Sequence, residues 1–425
     1  MLGFVDGTTT DIRTAAGRGQ GPSLAHPFLD PKLPSTNRAL ARIWLTTYRR
    51  IAADPSLYAE ILRTYAMPRS GEGSPRVLLA RYFRDADAYL NDLLLLVPPS
   101  FASQMRVLPE TRRTNDMLRL LAATFEGPDP RSRFEAQRKL YLAKLLFDVD
   151  HCRSVRDGPR HRARFEKLLE ERLWRDVDGG GRSVEVCCRF EETAGGEQSF
   201  RFGVPPDRGA TCWRFQVRRL AAKNGDPEIE IYHYRSRFKR EANPEPGRPA
   251  RNGFLTLTEK PRWPALGRRS GSIVSKMLRR GIADPQVVED LLGAMFIVGD
   301  RRQAYALENR LLHVLGGPLR WRDRVDTLAG EKDRPRMDPR SSSGFRVLKG
   351  IVEVLTEDEA GASPYFFGVE VQIFPLEAYL RTLHARHFAS HYAYKRRQFL
   401  LDLLPLLFPS EIYGKETSHL AAESR

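Results

Sequence analysis

Apolar residues recur every three or four positions up to about residue 175 and every second position after it, and this change of period divides the chain. TNRALARIWLTTYRRIA (36–52), RVLLARYFRDADAYLNDLLLLV (76–97), NDMLRLLAATF (115–125) and RFEAQRKLYLAKLLFDV (133–149) each read as an amphipathic helix. They predict a helical domain over 37–177, suited to packing, regulation or partner binding, behind a Gly-, Pro-, Ser- and Thr-rich arm at 1–36. SVEVCCRF (183–190), QSFRFGV (198–204), TCWRFQVRRL (211–220) and EIEIYHYRSRFKRE (228–241) alternate between turn residues and predict a strand-rich segment over 178–241. ANPEPGRPARNG (242–253) reads as a loop. Helix and strand patterns then interleave through to Arg397, as in an α/β unit, placed here over 250–410 with a tail at 411–425.

Among the later strands, FGVEVQIFP (367–375) puts Val369, Val371 and Ile373 on one face and Glu370, Gln372 and Phe374 on the other. On a strand with one open face, a carboxylate and an amide are ordinary solvated residues. Composition makes a ligand there worth considering. The 425 residues carry a net charge of +16, which favours a polyanionic partner: nucleic acid, nucleotide or an anionic surface. With 41% hydrophobic and 10% aromatic residues the chain is globular, long enough for two or three domains. No leading basic-then-apolar segment is present, and FLLDLLPLLF (399–408), interrupted by Asp402 and Pro405, is too short to span a bilayer. Cys152, Cys187, Cys188 and Cys212 include no CxxC pair, so the expectation is a reduced, cytoplasmic protein with neither disulfide nor zinc site, Cys187 and Cys188 being strand filler.

Four segments concentrate the candidate chemistry: GRRSGSIVSKMLRRG (267–281), VVEDLLGAMFIVGD (287–300), SSSGFRVLKGIVEV (341–354), and FGVEVQIFP followed by LHARHFASHYAYK (383–395). Asp290 stands at the mouth of an apolar strand and Glu370 lies on another. Two such carboxylates can share a hard cation such as Mg²⁺. Arg268, Arg269 and Lys276, with Ser272 opening a helix, suit a polyphosphate. Phe345 offers a face for base stacking. Taken singly, each has a plainer reading: a solvated basic helix, a capping Asp, a core Phe.

In order and spacing these segments resemble the synthetase domain of the RelA/SpoT family, over about residues 250–397. Arg268, Arg269, Ser272, Ile273 and Lys276 are similar to its basic cluster and SI-then-Lys pattern, and Asp290 to Val298 to its D-x-x-G turn and strand. SGFRVL resembles its Asn-Gly-Tyr-x-x-Leu segment, with Phe345 for the Tyr. Glu370 to Ile373 match EVQI, and Ser390 to Lys395 resemble AHWxYK. The resemblance implies a nucleotidyltransferase-like mixed β-sheet with flanking helices, of the α+β or α/β class. It implies a GTP/GDP diphosphokinase-like transferase, which moves pyrophosphate from ATP to the 3′-hydroxyl of a guanine nucleotide in alarmone, (p)ppGpp, synthesis. Asp290 and Glu370 would hold Mg²⁺, and Arg268, Arg269, Ser272 and Lys276 would bind the ATP phosphates. Phe345, Gln372, His391 and Lys332 would hold the acceptor.

The match departs from the family at Leu266, Met295 and Phe374, where arginines are usual, and at Ser343 and Lys349. One preorganised charge lost from such a site costs on the order of 2–4 kcal/mol of transition-state stabilisation. No His-Asp dipeptide occurs, so no hydrolase domain is expected. Residues 235–280 hold 13 Lys and Arg against three Glu, a surface suited to RNA as well. The alternatives are therefore a pyrophosphokinase acting on the 3′-end of tRNA, and a regulator that binds nucleotide or RNA without transforming it.

Overall fold

The computed structural model describes residues 35–66, 73–177, 181–192, 198–223, 225–238, 270–328, 346–356, 363–383, 391–415, 417 and 420. Arg268, Arg269, Lys332, Phe345, the loop at 242–253 and the side chain of His391 lie outside them. The chain forms two compact units, 1–84 with 107–141 and 85–106 with 142–425. The helices up to the sheet are α1 (Ser35–Ala53), α2 (Tyr58–Tyr65), α3 (Pro75–Leu94), α4 (Pro99–Gln104), α5 (Pro109–Arg113), α6 (Met117–Glu126), α7 (Pro130–His151), α8 (Arg153–Arg156) and α9 (Gly158–Arg172).

The first unit buries Trp44, Ile51, Leu62, Tyr82, Leu120, Leu121 and Phe134, the residues that recur at helical spacing. Asp116 caps α6 by accepting from the Arg119 amide at 3.2 Å, and accepts from the Tyr58 hydroxyl at 3.0 Å. One side chain thereby satisfies an orphan helix donor and ties α6 to the start of α2.

The second unit is organised by one mixed sheet. Its strands are β1 (Arg182–Glu192), β2 (Gln198–Phe202), β3 (Thr211–Leu220), β4 (Ile229–Phe238), β5 (Leu292–Val298), β6 (Trp321–Asp326), β7 (Leu348–Leu355) and β8 (Phe366–Pro375). They lie in the order β2-β1-β3-β4-β5-β8-β7-β6. Only β5 and β8 run parallel; the other neighbours are antiparallel. Interleaved with them or following are α10 (Gly271–Arg280), α11 (Arg301–Val314), α12 (Leu376–Leu383), α13 (His391–Gln398), α14 (Leu404–Leu407) and α15 (Ser410–Tyr413). The protein is of mixed α and β architecture.

One face of the sheet carries Val369, Val371 and Ile373, all at or below 1% exposure, and is covered in part by α9 and its extension. There the His161 ring stacks on Phe367 with centroids 4.2 Å apart, and Tyr234 donates to Glu166 at 3.0 Å. On the opposite face, Val186, Cys188, Trp213, Phe215, Val217 and Ile297 pack with Leu376 and Leu380 of α12. Phe374 closes against Tyr379 of α12, ring centroids 5.7 Å apart, so this face is dry at its α12 end. The apolar stretch at 399–408 is core, with Phe399, Leu400, Leu403, Leu404, Leu407 and Phe408 all buried. No helix among the described residues is long and apolar enough to cross a membrane.

The expected absence of a disulfide is overturned. Cys187 of β1 and Cys212 of β3 are directly opposite in the antiparallel register and are bonded, with Cα atoms 4.0 Å apart. The two vicinal cysteines therefore have different roles: Cys187 faces Cys212, while Cys188 faces the apolar cluster as buried filler. Sequence spacing could not pair residues 25 apart before the strands were known to be neighbours.

Candidate active site

Alternation on β8 fixes the centre. With Val369, Val371 and Ile373 committed to one core face, Glu370 and Gln372 must stand on the other. Both are half-buried, and Gln372 Nε2 donates to Glu370 Oε2 at 2.8 Å. Register supplies the neighbours. Glu370 lies opposite Gly293 of β5 and Ile351 of β7; Gln372 lies opposite Met295 and Lys349.

Asp290 comes to the β5–β8 pair by a different route. It sits in a single 3₁₀ turn, Glu289–Leu291, that leads into β5. That turn runs over β8 at Gly368: a Cβ there would come within 3.0 Å of the Glu289 carbonyl oxygen and 3.2 Å of Ile351 Cγ2. Gly368 shares its face with Glu370, two residues on, so the glycine lets the Asp290 turn settle beside the Glu370 column. Arg322 of β6 braces the same margin, 2.9 Å from Glu289 and 2.8 Å from Glu353, the residue opposite Gly368.

Lys276 completes the described cluster. The helix α10 ends at Gly281, whose φ of 65° closes it in the left-handed conformation that glycine adopts without cost. Ser270 rather than Ser272 takes its N-cap position, and Ser272 lies half-buried in the first turn. Tyr89 and Ser275 share a 2.7 Å hydrogen bond that anchors the helix within the second unit. From this helix Lys276 Nζ reaches Asp290 Oδ1 at 2.6 Å, with each residue more than nine-tenths buried.

The structure thus pairs Glu370 with Gln372 on one face of β8, and Asp290 with Lys276 at the turn that enters β5. Met295 and Phe374, at positions where the resembled family has arginines, are instead part of the apolar packing under α12. Three cations on the Glu370 face went unassigned from sequence. Arg235 of β4 lies opposite Met295, Arg237 opposite Gly293, and Lys349 opposite Gln372. The signal was present in the alternation of RSR within YHYRSRF, which puts Arg235 and Arg237 on one face. Only the pairing of β4 with β5 shows whose face that is. Burial pushes the Tyr379 hydroxyl up to about 12, and the nearby Arg235 charge pulls the other way. Arg235 therefore sits where the α12 packing gives way to the polar part of the face.

No protein-family model and no curated protein sequence matches the chain. Among solved structures, the small alarmone synthetase 1 of Bacillus subtilis bound to its product pppGpp is similar over 36% of this chain and 71% of its own. The identity is 17% and the TM-score 0.22. Another structure of that synthetase gives the same identity and TM-score, over 36% of this chain and 74% of its own. A likeness of that size identifies neither a family nor an activity.

Proposed function

We propose that the chain is a Mg²⁺-dependent pyrophosphokinase of nucleotidyltransferase-like fold, transferring pyrophosphate from ATP to the 3′-hydroxyl of a guanine nucleotide. The observation that supports this reading is the passage of the Glu289–Leu291 turn, which holds Asp290, over Gly368 of the strand that bears Glu370. The donor set suits a hard cation: two carboxylates offering oxygen, one of which already faces a positive charge, the Lys276 ammonium. Mg²⁺ held by Asp290 and Glu370 would neutralise charge on the phosphates. The acceptor 3′-oxygen attacks the β-phosphorus of ATP, the bond from that phosphorus to the α-phosphate oxygen breaks, and AMP leaves. Glu370 accepts the hydroxyl proton, and Gln372, hydrogen-bonded to Glu370, orients the acceptor. Lys276 fixes the Asp290 carboxylate and, with Arg268, Arg269 and Ser272, favours the triphosphate at the start of α10. Phe345 stacks on the acceptor base, and His391 and Lys332 contact the acceptor. Positioning and charge neutralisation supply most of the rate, as in other phosphoryl transfers.

The apolar packing of half-buried Met295 and buried Phe374 favours a second reading, a regulator that binds nucleotide without turnover. The two are separated by incubating the full chain with γ-labelled ATP and Mg²⁺ and offering GDP, GTP, adenine nucleotides and bulk tRNA in parallel. Label on GDP or GTP supports the proposal, and label on tRNA moves the acceptor to RNA. Retained nucleotide binding with no labelled product supports the regulator.

A further inference from the structure

The second unit holds a group of ligand-type atoms that the proposed function does not use. Alternation puts Val186, Cys188 and Trp213 in the apolar cluster that packs on α12, and so turns Glu185, Cys187, Cys212 and Arg214 to the opposite face of the sheet. On that face Cys187 stands directly opposite Cys212, and Glu185 directly opposite Arg214 in the next row. The Sγ atoms of both cysteines and a carboxylate oxygen of Glu185 all lie within 4.8 Å of one another. Among the described residues this is the one trio of His, Cys, Asp or Glu gathered so closely. Glu185 Oε1 is 4.0 Å from Cys187 Sγ, while Oε2 faces Arg214 Nη2 at 3.4 Å. The Arg214 side chain is 72% exposed, and an ion pair so exposed holds a carboxylate only weakly.

In the oxidised chain the two sulfurs are bonded to each other and offer no thiolate. Opening that bond does not part them. The β1–β3 ladder runs from Arg182–Val217 to Cys188–Thr211, and on the far side of β1 the Gly203 amide donates to the Cys187 carbonyl at 2.9 Å. Backbone pairing thus holds the two Cα atoms at their 4.0 Å separation without help from the sulfurs. Two thiolates on one tetrahedral cation stand about 3.8 Å apart, a spacing that rotation about χ1 supplies without moving the strands.

We propose that reduction turns this crosslink into a site for a borderline-soft divalent cation, Zn²⁺, ligated by Cys187 Sγ, Cys212 Sγ and Glu185 Oε1. A small-molecule dithiol is the reductant: it closes to a cyclic disulfide, and its two electrons and two protons pass to the cysteine sulfurs. Both protons leave to solvent as the thiolates take the cation. Two sulfurs and an oxygen favour zinc over Mg²⁺ or Ca²⁺, which take oxygen ligands. Arg214, and Arg189 two residues beyond Cys187 on the same face, offset part of the three negative charges. Three protein donors leave the fourth tetrahedral position to water, the coordination of an exchangeable site rather than of a closed structural one. The inference is independent of the pyrophosphokinase reading, whose Mg²⁺ would be held by other residues.

The test compares the full chain in its oxidised form with the same chain after dithiol reduction, the reductant being removed by gel filtration without oxygen. Each form is titrated with Zn²⁺ and, in parallel, with Co²⁺, whose thiolate complexes absorb in the near ultraviolet. Cys152 and Cys188 are thiols in both forms, so the oxidised chain serves as the control. The expected result is one further equivalent of Zn²⁺ in the reduced form, with a cobalt–thiolate band that the oxidised form lacks. Glu185→Gln, an exposed change that keeps both sulfurs, weakens that equivalent at least about tenfold, and Cys212→Ser abolishes it. Equal zinc uptake by the two forms overturns the site, as does a further equivalent that Glu185→Gln leaves unchanged. A reduced chain whose circular dichroism shows the sheet lost overturns it too, since the ladder would then not hold the sulfurs together. If Cys212→Ser fails to fold, the comparison of redox forms and Glu185→Gln still decide.

Discussion

Asp290 and Lys276 form a buried ion pair. Each is more than nine-tenths buried, and a buried charge left alone costs more than its pair gains. Lys276→Met removes the ammonium 2.6 Å from the buried Asp290 carboxylate and is expected to destabilise the second unit by about 3 kcal/mol. Urea unfolding followed by tryptophan fluorescence would show it. Adding Asp290→Leu to that variant should restore most of the loss while leaving the chain unable to transfer pyrophosphate. A stability equal to wild type in Lys276→Met would mean that the two side chains do not face each other in solution. Gly368→Ala probes the same margin from the backbone, because the new methyl must displace the Glu289 carbonyl. It should cost about 1–3 kcal/mol, as overpacking does, and weaken nucleotide binding by moving the Asp290 turn.

At the scale of elements, α9 is locked to β8 by a chain of contacts that responds to acid. Tyr365 donates to Asp157 at 2.7 Å, so its oxygen accepts from His161 Nε2, also at 2.7 Å, and the His161 ring stacks on Phe367. Burial holds the His161 imidazole at about 4, against 6.5 for the ordinary side chain. The folded state therefore binds fewer protons than the unfolded one between those values. His161 contributes its full stabilisation above pH 6.5, and the contribution is lost as pH falls toward 4. Unfolding free energy measured at pH 7 and pH 5 should drop more steeply in wild type than in His161→Phe. Equal slopes would show that His161 titrates freely.

Elements are also where the sequence was most and least informative. Period 3.6 through α1, α3 and α6 and period 2 through β3, β4 and β8 were legible, because one face of each is more buried than the other, whereas α7 is buried on all sides from Phe134 to Ala143 and β1 at three successive positions, Val186 to Cys188. Glu370 and Gln372 were legible for the same reason. The neighbours of those strands were not. Only pairing of β1 with β3 sets Cys187 against Cys212, and only pairing of β4 with β5 brings Arg235 and Arg237 onto the Glu370 face across more than 50 intervening residues. Tertiary register carries that information, and no local period encodes it.

For the whole molecule, one sheet runs from the β1–β3 extension to the β5–β8 pair, so the disulfide stiffens a platform continuous with the candidate site. Closing a span of 25 residues restrains the unfolded chain by about 3 kcal/mol. A dithiol reductant, or Cys212→Ser, should lower the denaturation midpoint accordingly, and non-reducing peptide mapping should recover the 187–212 crosslink. The central claim is that the polar face of this platform performs Mg²⁺-dependent pyrophosphate transfer through Glu370. The most direct test is the initial rate of label transfer from ATP to GDP or GTP by wild type and by Glu370→Gln, the two matched in thermal midpoint. The account predicts a measurable wild-type rate that falls at least a hundredfold in the variant, since the glutamine keeps the shape and loses both the proton acceptor and the metal-binding charge. A variant that transfers label as fast as wild type would contradict it.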